Sequence, residues 1–223
     1  MQGSVDKMLN KQAVIDRVLE KKIIVIVRGV YGEDCLSLAK ALCCGGIEIM
    51  EVTFDQSSEQ NRQRTLETIS LLRNTLGEKM TVGAGTVTTA AMAKDAHAAG
   101  AQFIVSPNTD PEVIKAAAEC GMVTMPGALT PTEIMIAHNA GADFVKLFPV
   151  TTLGTAYIKA VRAPLNHVKL LAVGGVNEKN AAEFIAAGVV GIGVGGNLVN
   201  REWIKNGEFD KITALASEFV KQV

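Results

Sequence analysis

Gly141-Ala142-Asp143-Phe144-Val145-Lys146-Leu147-Phe148-Pro149 is one copy of a unit that the chain repeats. Each copy is the small-residue end of a helix, then a glycine, then an apolar strand that begins at once. The other junctions are Gly46-Ile47, Gly100-Ala101, Gly121-Met122 and Gly188-Val189. A glycine there suits a left-handed helix cap, since it lacks the Cβ that penalises that conformation. The glycines at 100, 121 and 141 lie 21 and then 20 residues apart. That is about the length of one strand, one helix and their loops.

Working outward, strands are expected at 23–27, 47–52, 80–84, 103–105, 123–125, 144–147, 169–172 and 191–194. Helices are expected between them, at 33–44, 59–76, 89–99, 111–119, 131–140, 155–162 and 178–187, with a last amphipathic one at 209–220. The run Ile23-Ile24-Val25-Ile26-Val27 is what a parallel strand buried on both faces requires. Before it, Val14, Ile15, Val18 and Leu19 recur at helical spacing and predict an extra N-terminal helix over 11–22, covering one end of the domain. Strands alternating with helices, with no linker and no low-complexity segment, predict an α/β fold: a single-domain (β/α)₈ TIM barrel over residues 1–223. A doubly wound open sheet is the runner-up, but no Gly-x-Gly-x-x-Gly turn follows the first strand.

Composition narrows the function. At 223 residues and 48% hydrophobic the chain can bury a large core. Its 22 basic and 23 acidic residues are interleaved, with net charge -1 and only 4% aromatics, so nucleic-acid surfaces and base-stacking platforms are not expected. No apolar run approaches the roughly 20 residues of a membrane span, and 1–10 lacks the apolar core of a signal peptide. Cys43 and Cys44 lack the spacing of a zinc pair, Cys35 and Cys120 have no base partner, and His97, His138 and His167 are scattered. No metal is expected, and the thiols read as buried apolar residues in a reducing, cytoplasmic compartment.

The chemistry gathers at the C-terminal strand ends, where such barrels carry their sites. Alternation puts Phe144, Lys146 and Phe148 on one face, so the lysine stands between two aromatic rings. Lost hydration there lowers an ammonium pKa, as an amine that attacks a carbonyl requires. The bland alternative is a lysine whose stem packs on the rings while its head reaches solvent or a carboxylate. The same alternation aligns Ile24, Ile26 and Arg28, and Ile47, Ile49 and Glu51. Glu51 reads either as a strand-end carboxylate paired with Arg28 or Lys146, or as a proton shuttle beside an iminium. Arg28 suits a substrate carboxylate by its fork, or neutralises Glu51. Two turns, Gly174-Gly175 and Gly195-Gly196, follow the last two strands, where barrels bind phosphate through backbone N–H groups.

These residues lie in motifs that resemble the class I aldolases acting on 2-keto-3-deoxy-6-phosphogluconate (KDPG) and 4-hydroxy-2-oxoglutarate (KHG). The motifs are Val27-Arg28-Gly29, Ile49-Met50-Glu51-Val52-Thr53, Val82-Gly83-Ala84-Gly85-Thr86-Val87, Ile104-Val105-Ser106-Pro107, Met125-Pro126-Gly127, Thr130-Pro131-Thr132-Glu133, Val145-Lys146-Leu147-Phe148-Pro149 and the two Gly-Gly turns. The resemblance runs from about Val14 to the C-terminus. It implies Lys146 as the Schiff-base lysine and Glu51 as the proton shuttle. It implies Arg28 and Thr86 at the keto-acid end and Pro107 and Phe148 as pocket lining. Gly174, Gly175, Gly195 and Gly196 would hold the distal phosphate. It further implies a homotrimer acting on a small keto acid, without cofactor or metal, that releases pyruvate and an aldehyde such as glyceraldehyde 3-phosphate or glyoxylate.

Three positions depart from that pattern. Phe54-Asp55 stands where family members often carry an arginine two residues after Glu51-Val52-Thr53. Val173 replaces a threonine that bears on which hydroxyl epimer is accepted. Asn197 stands where serine is common, and its amide can still donate to a phosphate oxygen. The gluconate substrate, its galactonate epimer and the unphosphorylated acid therefore stay open. So do two other functions: a barrel sugar-phosphate isomerase or epimerase using Glu51 and Lys146 as acid and base, and a catalytically silent barrel that binds a phosphorylated metabolite.

Overall fold

Residues 10–223 are described here by a computed structural model, so the reading of 1–10 falls outside it except at Asn10. The strands are β1 (Ile23–Val27), β2 (Ile49–Thr53), β3 (Thr81–Gly85), β4 (Phe103–Val105), β5 (Val123–Met125), β6 (Gly127–Ala128), β7 (Val145–Leu147), β8 (Leu170–Val173) and β9 (Gly191–Val194). They form one parallel sheet in the order β5-β4-β3-β2-β1-β9-β8-β7-β6. Its two ends, β5 and β6, are the same stretch of chain interrupted at Pro126. Proline lacks the N–H a ladder needs, but its carbonyl still accepts. Phe144 N–H donates to Thr124 O at 3.2 Å and Lys146 N–H to Pro126 O at 2.8 Å, which closes the barrel. The expected (β/α)₈ barrel is present, with its fifth strand split.

The helices are α1 (Lys11–Lys21), α2 (Gly32–Cys44), α3 (Glu59–Leu76), α4 (Ala90–Ala98), α5 (Pro111–Glu119), α6 (Pro131–Asn139), α7 (Gly154–Arg162), α8 (Ala181–Ala186), α9 (Arg201–Lys205) and α10 (Phe209–Val220). The sheet separates two cores. Ile24, Ile49, Phe103, Val123, Phe144 and Leu171 fill the barrel interior, and Val14, Ile15 and Val18 of α1 pack onto them. Residues of opposite parity, among them Val25, Val27, Met50, Val52, Val145 and Leu147, pack outward against the helices. The helix α10 lies on α2, with Thr213 Oγ1 donating to Ala41 O at 3.0 Å.

The repeated glycines do what the sequence asks of them. Gly46, Gly100, Gly121, Gly141 and Gly188 have φ of 91, 95, 74, 92 and 102°. After the first four, the next N–H turns back into the helix, as in Ala101 to Ala96 O at 2.9 Å and Met122 to Ala117 O at 3.1 Å. This Schellman closure satisfies an orphan carbonyl and aims the chain into the next strand.

Some expectations need correction. Ile47 belongs to the outer core, not to the inward face with Ile49 and Glu51. Its N–H is still bonded to Leu42 O, and strand pairing starts only at Ile49. The helix expected at 178–187 runs only over Ala181–Ala186; its start is delayed because Asn177 Oδ1 accepts from the Lys179 and Asn180 N–H groups and holds a turn there. The five-residue α9 was not expected. Of the free cysteines Cys35 is buried, with burial pushing its thiol up to about 12, whereas Cys44 is exposed. His138 and His167 are not scattered but meet edge to face, with ring centroids 5.0 Å apart. Among the described residues no helix is long and apolar enough to cross a membrane.

Candidate active site

The inward parity of β7 carries Lys146 into the upper barrel, where only 8% of the residue is exposed. Its Nζ lies 4.6 Å from the centroid of the Phe148 ring. Burial lowers the Lys146 pKa; the Glu51 charge opposes that shift and the Arg28 charge adds to it. Glu51 reaches the same space from β2, three strands from β5 at the seam, and is 2% exposed. Burial pushes its carboxyl up to about 7, against the pull of Lys146 and Arg28. Its Oε2 has no hydrogen-bond partner among the described residues. A buried carboxylate oxygen left open costs stability unless something else comes to meet it.

The backbone makes room for that carboxyl. A Cβ on Gly85, at the end of β3, would come within 2.7 Å of Glu51 Oε1. Lys146 and Glu51 line one narrow cavity, walled by Ile24, Ile26, Val105, Met125, Leu171 and Val173. It is therefore an apolar chamber with two ionisable groups, and their titrations are coupled.

Arg28 lies one residue beyond β1 and is exposed, not interior as strand alternation suggested. Gly29, at φ 68°, turns the chain away there. Arg28 nevertheless acts electrostatically on Glu51, Lys146 and Asp55. Thr86 follows β3 in the left-handed region at φ 58°, a strained place for a β-branched residue. With Arg28, Asp55 and Gln56 it lines an open cavity. Asp55 is held in place by the Ser57 N–H at 2.9 Å and Asn61 Nδ2 at 2.8 Å. Pro107 is exposed at the end of β4, and Phe148 is 37% exposed over Lys146.

The glycine turns sit beside these groups. Val173 is buried at the end of β8; Gly174 and Gly175 follow at φ 100 and 75°. Thr151 Oγ1 donates to Gly174 O at 2.6 Å and Asn180 Nδ2 to Gly175 O at 3.0 Å, which fixes the carbonyls away from the turn. Gly195 and Gly196 line a further open cavity with Arg28. The N–H groups of Gly175, Gly196 and Asn197 donate to no acceptor among the described residues. Asn197 Nδ2, by contrast, reaches Glu178 Oε2 at 3.4 Å. Among the described residues no group of three or more His, Cys, Asp or Glu side chains could hold a metal.

Sequence reading quotes Gly85 only within a motif, without a role, and passes over Arg201. Gly85 matters through a contact across β2 and β3 that no local pattern encodes. Arg201 sits in α9, too short for periodicity to expose.

Over residues 14–215 the chain matches the model of an aldolase family described as KDPG and KHG aldolase. The chain belongs to the KDPG and KHG aldolase family. It is accordingly an aldolase, and so a lyase. A "Probable 2-dehydro-3-deoxy-6-phosphogalactonate aldolase" of Rhizobium meliloti (strain 1021) is 38% identical over 181 residues, which are 81% of this chain and 82% of that protein. A "2-dehydro-3-deoxy-phosphogluconate aldolase" of Treponema pallidum (strain Nichols) is 37% identical over 207 residues, 91% of this chain and 93% of that one. Among solved structures, the KDPG aldolase of Legionella pneumophila, with pyruvate captured at low pH as a covalent carbinolamine, matches with a TM-score of 0.80. That match is 32% identical and covers 92% of this chain and 95% of that one.

Proposed function

We propose that this aldolase cleaves a 2-keto-3-deoxy-6-phospho sugar acid to pyruvate and glyceraldehyde 3-phosphate through a Schiff base on Lys146. The observation that carries the reading is the chamber itself: a lysine with a lowered pKa and a carboxyl with a raised one, both buried at the C-terminal mouth of the barrel. Neutral Lys146 Nζ attacks the C2 carbonyl, and Glu51 passes the proton that lets water leave, giving an iminium. The iminium draws the electrons of the C3–C4 bond as Glu51 takes the C4 hydroxyl proton, and the aldehyde departs. The enamine left on Lys146 is reprotonated at C3, and water releases pyruvate and the free amine. The electron sink is the iminium, so the proposal asks for no metal.

At either end of this pair, Arg28 and Thr86 are assigned to the keto-acid carboxylate. Pro107 and Phe148 are assigned to the pocket wall. The Gly174-Gly175 and Gly195-Gly196 turns, with Val173 and Asn197, are assigned to the distal end. Open N–H groups on glycines at a strand end suit an oxyanion. Val173 cannot hydrogen-bond a substrate hydroxyl, which favours the galactonate epimer or a relaxed choice. The resemblance to the family extends the proposal to a cytoplasmic homotrimer. The reading is tested by assaying cleavage of both epimers with the native protein and Lys146→Ala. Loss of turnover in a variant that keeps its circular dichroism is expected; an unchanged kcat would end the proposal.

A further inference from the structure

Arg201 lies outside every motif that the sequence brings forward, yet it lines both cavities at the mouth of the barrel. It shares one with Arg28, Gly195 and Gly196, and the other with Arg28 and Thr86. Two contacts set the guanidinium there. Nη2 donates to the Arg28 carbonyl at 3.3 Å. A Cβ on Gly29 would come within 2.8 Å of that nitrogen, so the glycine leaves the space that the guanidinium occupies.

The turn beside it lacks a formal charge of its own. The first free N–H groups of α9, on Glu202 and Trp203, already donate to Asn200 Oδ1 at 3.0 and 3.1 Å, so the helix start offers an anion little. Asn197 is drawn to the Glu178 carboxylate, which disfavours a dianion nearby. Backbone N–H groups of Gly196 and Asn197 can orient a phosphate, but a neutral hydroxyl would lose only dipoles there. The planar fork of an arginine is what distinguishes a phosphate from that hydroxyl.

We infer that Arg201 is the residue by which this enzyme selects a keto acid with a phosphorylated tail over the same acid without phosphate. The inference rests on the aldolase reading of the barrel mouth given above. Arg201→Gln and Arg201→Lys, each checked for native circular dichroism, are compared with the native protein on the 6-phospho acid and on its unphosphorylated counterpart. The ratio of kcat/KM between the two acids is expected to fall roughly tenfold in Arg201→Gln, mostly through KM for the phosphorylated acid. Arg201→Lys, which keeps the charge but not the fork, is expected to restore part of the ratio. Equal losses on both acids would mean that Arg201 only props the Arg28 turn, and would overturn the inference; an unchanged ratio would do the same. Failure of the underlying reading looks different: the native protein would then cleave neither acid, and both claims would go together.

Discussion

Lys146 and Glu51 would both be charged in an ordinary peptide, and burial drives both toward neutrality. For the lysine this supplies the nucleophile. For the carboxyl it sets a pKa of about 7, so that near neutral pH the group can give and take a proton with equal ease. As a base Glu51 acts when ionised, so kcat/KM is expected to rise with pH through about 7. Glu51→Gln should lose that rise and fall by roughly 10²- to 10⁴-fold, read from pH–rate profiles of the two proteins. Normal turnover would remove Glu51 from the shuttle. The same shift carries a sign for stability. A carboxyl raised from 4.5 to about 7 binds more protons in the folded state, so its contribution is fully present below 4.5 and is lost as pH rises through about 7. In urea melts Glu51→Gln should therefore gain stability over the native protein at about pH 8, by on the order of 3 kcal/mol, and gain little at about pH 5.

At the scale of elements, the barrel interior is tight enough for a single methyl to matter. A Cβ on Gly83 of β3 would lie 2.4 Å from Cε2 of Phe103, a fully buried ring with nowhere to go. Gly83→Ala should cost about 1–3 kcal/mol in urea unfolding, and an unchanged midpoint would contradict this packing. Much of the element plan was legible: the β-branched run of β1 and the glycine junctions encode strand and cap locally. The split at Pro126 was less so, because its meaning depends on the β7 N–H groups that meet the carbonyls around it. Ile47 misled because a helix cap and a strand start overlap there. Of the site, Lys146 and Glu51 stood out as charges on inward-facing positions. Arg28 was seen but misplaced by one turn of backbone at Gly29, and Arg201 left no local signal at all.

Across the whole molecule, a closed barrel with α1 packed on its lower interior leaves the upper chamber as the place where buried ionisable groups collect. Closure also holds Lys146 on β7 and Glu51 on β2 at fixed separation, which the proton relay requires. Phe148, over Lys146, and Leu153 are large apolar residues left partly exposed. A homotrimer is expected in sedimentation at micromolar protein; a monomer there would contradict that part of the proposal.

The Schiff base on Lys146 is tested by borohydride reduction in the presence of pyruvate, followed by intact-mass and peptide mass spectrometry. One reduced pyruvyl adduct is expected, on the peptide that holds Lys146. A folded protein that gains no adduct, or gains it on another lysine, would contradict the Schiff base at Lys146.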